Sequence, residues 1–451
     1  MSAVVELDGL LQRLETFGVR LGLDTTHRLL SALGEPQRPL RVVLVGGTNG
    51  KGSTAAFLSS MAATAGYRTG LYTSPHLETV EERLRIDGRA ITTDRLASIV
   101  KHVVATAEKS LGYLPTYFEV LTAAACQWFA EESVDLAVLE VGLGGRLDAT
   151  NGTDPALSLI TEIGLEHQKY LGSTLAQIAR EKAGILRPDR DAIAWVEREE
   201  ARAAIQQVAG DIGARLVWGP QVATFNQVGE YRRDGQLVEL STPGGNQVLN
   251  VPLLGEHQGA NLALAALAVE NLARQGMDRL GAESVKEGVA RTRWPGRLEW
   301  VEPAGVRPFL LDVAHNPDGG RMLERALEQT TGHFTLVFGA LSDKEVRALL
   351  PGLASRASRV VLTRPVSSRA LDPGVLAELL PDREVSIHPE ISAALDSALE
   401  STGDFVLACG SVYLVGEVRL ELRRRFGIPA PATDNLLPFQ RSGVDAQDSV
   451  G

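Results

Sequence analysis

Residues 42–54 read VVLVGGTNGKGST, an apolar run followed by a turn with four glycines, one lysine and the hydroxyls of Thr48, Ser53 and Thr54. The run 42–45 reads as a buried strand, and 53–65 as a helix stopped by Gly66. A strand, a glycine turn and a helix start gather unpaired backbone N–H groups around one point, where the helix dipole adds partial positive charge. Lys51 supplies a full charge, and the hydroxyl of Ser53 or Thr54 can hold Mg²⁺. Thr48, Asn49, Gly50, Lys51, Gly52, Ser53 and Thr54 therefore read as a phosphate cradle rather than a plain flexible loop. The spacing departs from G-x-x-x-x-G-K-[ST]: Gly46 to Gly50 is one residue shorter, and Gly52 separates Lys51 from Ser53.

Around this turn the chain alternates. A helical stretch at 8–33 precedes strands at 42–45, 69–72, 134–141, 157–163 and 192–196, with helices at 96–110, 119–131 and 173–183 between them. Apolar strands separated by helices predict a mostly parallel sheet covered on both faces. Over 214–253 the texture changes: Asp234-Gly235 sits between two β-like pairs, a hairpin signal that predicts a small antiparallel excursion. A long apolar helix follows at 261–274, and the run 292–297, TRWPGR, reads as a linker. Beyond it alternation restarts, with strands at 309–313, 335–338, 360–363, 385–387 and 405–409 and helices at 322–329, 345–353, 375–380, 393–399 and 412–425. The fold class is α/β: an N-terminal P-loop ATPase domain over 1–293 and a smaller Rossmann-like domain over 294–426. Residues 427–451 are polar with scattered prolines and read as a disordered tail.

The net charge of −11 makes the chain a poor candidate for gripping nucleic acid, so any anionic ligand must be held by a local cluster. Cys126 and Cys409 lie far apart in apolar runs, which is no disulfide framework and fits a reducing compartment. The first residues carry no basic, apolar leader pattern, and no stretch reaches the ~18 apolar residues of a membrane span. The chain reads as cytoplasmic.

The segment GTNGKGS resembles the ATP loop of the Mur ligase superfamily of amide-forming enzymes. Further segments, in family order, resemble the folylpolyglutamate synthase and dihydrofolate synthase branch. They are TSPHL (73–77), ERLRIDG (82–88), TYFEVLTAAA (116–125), LEVGLGGRLDATN (139–151), IGLEH (163–167), REKAGI (180–185), WPGRLE (294–299), LDVAHNPDG (311–319) and CGSVYLVGE (409–417). The resemblance implies an ATP-dependent ligase that activates the carboxylate of a reduced folate as an acyl phosphate and joins it to L-glutamate. Dihydropteroate stands as a second acceptor of the bifunctional members. A segment of those members near 18–21 carries an acidic residue where this chain has Arg20, which weakens that transfer.

Such chemistry brings anions together, so the site must neutralise charge. Glu140 ends a strand, where open α/β sheets bind ligands. By resemblance Glu140 and Ser74, with Ser53, hold one Mg²⁺ and His167 a second, and Lys182 is carbamylated, which turns a cation into an anion able to support the metal. Glu166 stands where the family usually has Asp. Thr116, Tyr117, Phe118, Glu119 and Leu147 match stretches that contact the pterin; aromatic rings suit a flat heterocycle by stacking. Asn261, Arg297 and Asp312 match residues that hold ATP, with Arg297 placed to act like an arginine finger. His315 and Ser411 match positions that place glutamate. The catalytic set implied is Lys51, Lys182, His167 and His315, working in a monomer. Two other readings stand beside this one. A cell-wall UDP-MurNAc-type amino-acid ligase would carry a sugar-nucleotide domain ahead of the ATP loop, and only about 40 residues precede Val42, under the ~50 a domain needs. A nucleotide-gated binding protein without chemistry would lack some of Glu140, His167, Lys182 and Arg297.

Overall fold

The computed structural model describes residues 3–15, 18, 20–342 and 346–430. In chain order the first strands are β1 (Val42–Gly46), β2 (Thr69–Tyr72), β3 (Leu84–Ile86), β4 (Arg89–Ala90), β5 (Leu136–Glu140), β6 (Pro155–Ile160), β7 (Asp191–Ala194) and β8 (Arg215–Trp218). Among the described residues they form one sheet in the order β4-β3-β2-β5-β1-β6-β7-β8, parallel from β2 to β8. β1 is buried along its whole length, as an apolar strand between two neighbours and two helical layers must be. The helix Lys51–Thr64 is buried almost all round, because it lies between the sheet and the helices His257–Arg274 and Ala282–Arg291. Its run of Ala and Ser permits that close approach, and at Gly288 a β-carbon would sit 2.5 Å from the Met61 backbone.

β9 (Thr224–Arg232), β10 (Gly235–Thr242) and β11 (Gly245–Val251) form an antiparallel sheet, the expected excursion. A third sheet joins β12 (Glu299–Val301), β13 (Phe309–Asp312), β14 (Phe334–Phe338), β15 (Arg359–Leu362), β16 (Val385–Ile387) and β17 (Phe405–Cys409), in the order β12-β13-β17-β14-β15-β16. All of its pairings are parallel except that of β12, which is an antiparallel edge.

Several expectations need correction. The helix expected over 8–33 is two, Ala3–Glu15 and Asp24–Ala32; Gly18 and Gly22 between them take positive φ of 61° and 147°, which a helix cannot hold. The excursion begins at β9, since 215–218 instead extends the parallel sheet beside β7. The helices Glu199–Ile212 and Ala282–Arg291 had no sequence counterpart, although each carries an apolar stripe opposite a polar face. The helix expected at 345–353 is a short 3₁₀ turn, Val346–Ala348, and then Leu350–Arg356, with Pro351 in the first turn of the second; position 345 lies outside the described residues. The expected tail falls, from 431 onward, outside the described residues as well. No described helix is long and apolar enough to cross a membrane.

Candidate active site

The carboxyl ends of β1, β5 and β6 meet at the glycine turn. Register pairs Val45 with Glu140, so the carboxylate emerges just where the turn begins. The turn is stitched to the end of β6: Thr48 N–H donates to Glu162 O at 2.9 Å, and Thr161 N–H to Gly46 O at 2.8 Å. Gly47, at φ 136°, lies against the Thr161 hydroxyl, and Gly50, at φ 92°, against the Asn261 amide; a β-carbon would collide at either position. The glycines of the turn therefore answer to backbone geometry and to neighbours, not to flexibility. Lys51 opens the helix and its Nζ donates to Thr48 O at 2.9 Å.

A cavity of about 460 Å³ lies over this turn, between the two parallel sheets. Residues 48–53, Ser74, Glu140, Glu166, His167, Asn261 and Arg297 line it, as do Asp312, His315 and Ser411 from the third sheet's loops. Thr116, Phe118, Glu119 and Leu147 line the same space. Three residues expected at the site, Thr54, Tyr117 and Lys182, are not on its wall. Thr54 is fully buried, its hydroxyl without a partner, because the second residue past Gly52 faces the helix's packed side. Tyr117 packs beneath Arg83, whose guanidinium lies 5.1 Å from the ring centroid. Thr116 and Glu119 form a capping box, the Thr116 N–H and hydroxyl donating to Glu119 at 2.7 and 2.8 Å, so their first task is to start the helix Tyr117–Glu131.

Glu140 is 6% exposed. One oxygen accepts the Ser74 N–H at 3.0 Å. Burial raises its pKa, against the pull of Lys51, the Ser74 N–H and Arg297. Burial likewise lowers Arg297 and raises Asp312, two groups that attract each other. Asp312 is already engaged, accepting the N–H groups of Leu298 at 2.9 Å and Ala314 at 2.8 Å, so it also fixes the linker turn. Lys182 is 1% exposed and donates from Nζ to Gly47 O and to Glu166, both at 2.7 Å. Burial lowers Lys182, with Glu166 opposing; burial would raise Glu166, but Lys182 and Lys51 hold it at about 2. His167 stands at φ 47° in the turn after β6. His315 Nδ1 lies 2.8 Å from Val313 O, and Ser411 caps the helix Val412–Phe426 by accepting the Tyr413 N–H at 3.1 Å.

Sequence reasoning passed over Arg83 and Asn316. Arg83 is buried on the cavity wall with Nε donating to His76 Nδ1 at 3.0 Å, and Asn316, also on the wall, donates from Nδ2 to Asn49 Oδ1 at 3.1 Å. Both lie inside the quoted segments ERLRIDG and LDVAHNPDG, the only signal for them.

The arrangement can hold a polyanion over Lys51 and bring groups from a second sheet onto it. The Mur ligase middle domain matches residues 45–269, and the Mur ligase glutamate ligase domain residues 296–412, so fold and cavity define a Mur-type ligase. The dihydrofolate synthase/folylpolyglutamate synthase of Bacillus subtilis is 33% identical over 430 residues, which are 90% of this chain and 96% of that one. A Mycobacterium tuberculosis folylpolyglutamate synthase solved with ADP and AMPPCP is 30% identical with a TM-score of 0.85, over 95% of this chain and 100% of that one. A bifunctional folylpolyglutamate synthase/dihydrofolate synthase solved with Mn, AMPPNP and L-glutamate is 31% identical with a TM-score of 0.82, over 94% and 99%. The chain belongs to the folylpolyglutamate synthase/dihydrofolate synthase family. It spans about half the length, 51% and 52%, of two curated relatives from Halobacterium salinarum and Haloferax volcanii, each a probable bifunctional folylpolyglutamate synthase/dihydropteroate synthase.

Proposed function

We propose that the chain is an ATP-dependent ligase that joins L-glutamate to the carboxylate of a reduced folate, with dihydropteroate as a second acceptor to be tested. One observation carries the reading: a single cavity is lined at once by the glycine turn, Glu140, Arg297, the Phe118–Leu147 wall and the His315 and Ser411 loops. One chain supplies all of these groups, which supports action as a monomer, and the cytoplasm, with its ATP, is the compartment the reaction needs. Division of labour follows the sheets. Residues 1–293 hold ATP and the acceptor, while 294–426 bring Arg297, Asp312 and the glutamate groups.

In this reading the acceptor carboxylate oxygen bonds to the γ-phosphorus of ATP while the bond to the bridging oxygen of ADP breaks. The glutamate amine then attacks the acyl carbon, phosphate leaves, and the amine gives up its proton. Lys51, the N–H groups of the turn and Arg297 bear the phosphate charge. Phe118 and Leu147 seat the flat end of the acceptor, with Thr116 and Glu119 behind them; Asn261 and Asp312 hold the nucleoside, and His315 and Ser411 receive glutamate. Enclosure by both sheets keeps water from the acyl phosphate.

A divalent cation fits. Glu140 is buried, and among the described residues the Ser74 N–H is the donor that bonds it, which is costly for a carboxylate unless a cation joins it. Among the described residues no three His, Cys, Asp or Glu side chains cluster as a metal cage. That suits Mg²⁺, which keeps waters and leans on phosphates. Glu140, Ser74 and Ser53 would hold one ion and His167 a second. When bound, such ions neutralise the γ-phosphate and the approaching carboxylate. Carbamylated Lys182 belongs to the same proposal, since burial favours the neutral amine that modification requires.

The test is phosphate release and product mass with ATP, Mg²⁺ and glutamate, offering tetrahydrofolate or dihydropteroate separately. Amide product from tetrahydrofolate is expected, with Lys51→Ala inactive on either acceptor. ATP hydrolysis without amide, or an active Lys51→Ala enzyme, would refute the reading.

A further inference from the structure

The loop that presents Ser74 runs on to Glu78, and Glu78 is gripped by the last described helix of the chain. Its side chain is fully buried, receiving Arg419 Nε at 2.8 Å and the guanidinium of Arg423. Arg419 is itself 3% exposed. It places a second nitrogen on Glu299 and a third on Pro429 O at 3.1 Å. The other oxygen of Glu299 accepts the N–H of Gly296 at 2.8 Å, the residue just before Arg297. Around the same contact, Glu82 accepts the N–H groups of Leu77, Glu78 and Thr79 at 3.0, 2.8 and 2.9 Å. Gly416 lies so close to Leu77 O that a β-carbon would collide. At the far end of the loop Ser74 meets Glu140.

We propose that Arg419 is a positioning residue that sets the Ser74 loop and the Arg297 turn against each other, so that the two sides of the cavity close in register. Neither Arg419, Glu78 nor Glu299 lines the cavity, so any effect on turnover must travel through the segments they hold. The planar guanidinium has five N–H donors in a fixed fork and can serve two carboxylates and a carbonyl at once; a lysine is a point charge on a flexible stem. Without that guanidinium Glu78 is left to Arg423 and Glu299 to the Gly296 N–H, and the side chain that bridges the two carboxylates is gone. The kinetic half of this inference rests on the proposed ligase activity; the structural half does not.

The test uses the full chain as Arg419→Lys, and as Glu78→Gln/Arg419→Gln, which removes the connection without leaving Glu78 charged. For each folded variant, hydrogen exchange is measured in segments 73–79 and 294–299, along with kcat and the KM for ATP and acceptor. Exchange is expected to rise in both segments together. At the same time kcat should fall about 10–100-fold, the scale of an ångström-level misplacement, with the acceptor KM within twofold of wild type. Should Arg419→Lys not fold, the double variant gives the same readings. Wild-type kcat in a folded variant, or faster exchange in only one segment, would overturn the proposal. If the wild-type chain makes no amide, the function reading fails, and the exchange data alone decide whether Arg419 couples the two segments.

Discussion

Lys182 shows how far a residue's surroundings can reverse its default. A lysine in the last turn of a helix favours solvent and the helix dipole, yet this one is enclosed between Gly47 O and Glu166. A buried cation with one partner is costly to strip: Lys182→Met leaves Glu166 without its main partner and should cost roughly 3 kcal/mol, read as a lower urea midpoint at unchanged m. Carbamylation has its own check. Wild-type protein in [¹³C]bicarbonate should give a carbamate carbon resonance that Lys182→Met lacks. A silent wild-type spectrum would leave Lys182 as the ammonium partner of Glu166.

At the scale of elements, the glycine-rich segment after β5 is what seats that lysine's helix. A β-carbon at Gly145 would lie 2.7 Å from Lys182 O and 2.8 Å from Glu181 O, and the Arg146 N–H donates to Glu181 O at 2.8 Å. The loop and the end of the helix Leu175–Ala183 are thus one packed unit. Gly145→Ala should push the helix back, costing about 1–3 kcal/mol as overpacking does, and lower ATP turnover with it. A variant with wild-type Tm and turnover would show that the contact yields freely. Periodicity made both elements visible in the sequence, but the reason for Gly145 is a neighbour 37 positions away and has no local signature.

At the scale of the whole molecule, two sheets turn their carboxyl ends toward one cavity and enclose titratable groups between them. Burial, with Arg83 beside it, holds His76 at about 3, and burial with Arg297 holds His257 at about 4. Both are neutral when folded at neutral pH and regain the usual histidine value of about 6.5 when unfolded. Between about 6.5 and those depressed values the unfolded chain binds more protons, so stability falls as pH falls. The paired Glu166, held at about 2, adds a loss only below the ordinary carboxylate range. The raised carboxylates Glu140 and Asp312 act with the opposite sign, so the histidine part is isolated by substitution: from pH 7 to pH 5 wild-type Tm should fall more, or rise less, than that of His257→Gln. The same pH slope in both proteins would contradict the assignment.

The sequence alone determined what depends on neighbours along the chain: the strand–turn–helix at 42–64, the alternation that makes two parallel sheets, the hairpin at Asp234-Gly235, and the strand-end position of Glu140. These follow from periodicity, turn chemistry and capping, which act within a few residues. Tertiary structure decided what depends on distant segments meeting. It turned Thr54 and Tyr117 away from the cavity, brought Arg83 to its wall, paired Lys182 with Glu166, and joined Glu78 to Arg419 across 341 positions. Side-chain direction and ion pairing are set by the packing of elements far apart in sequence, and no local pattern of residues encodes that packing.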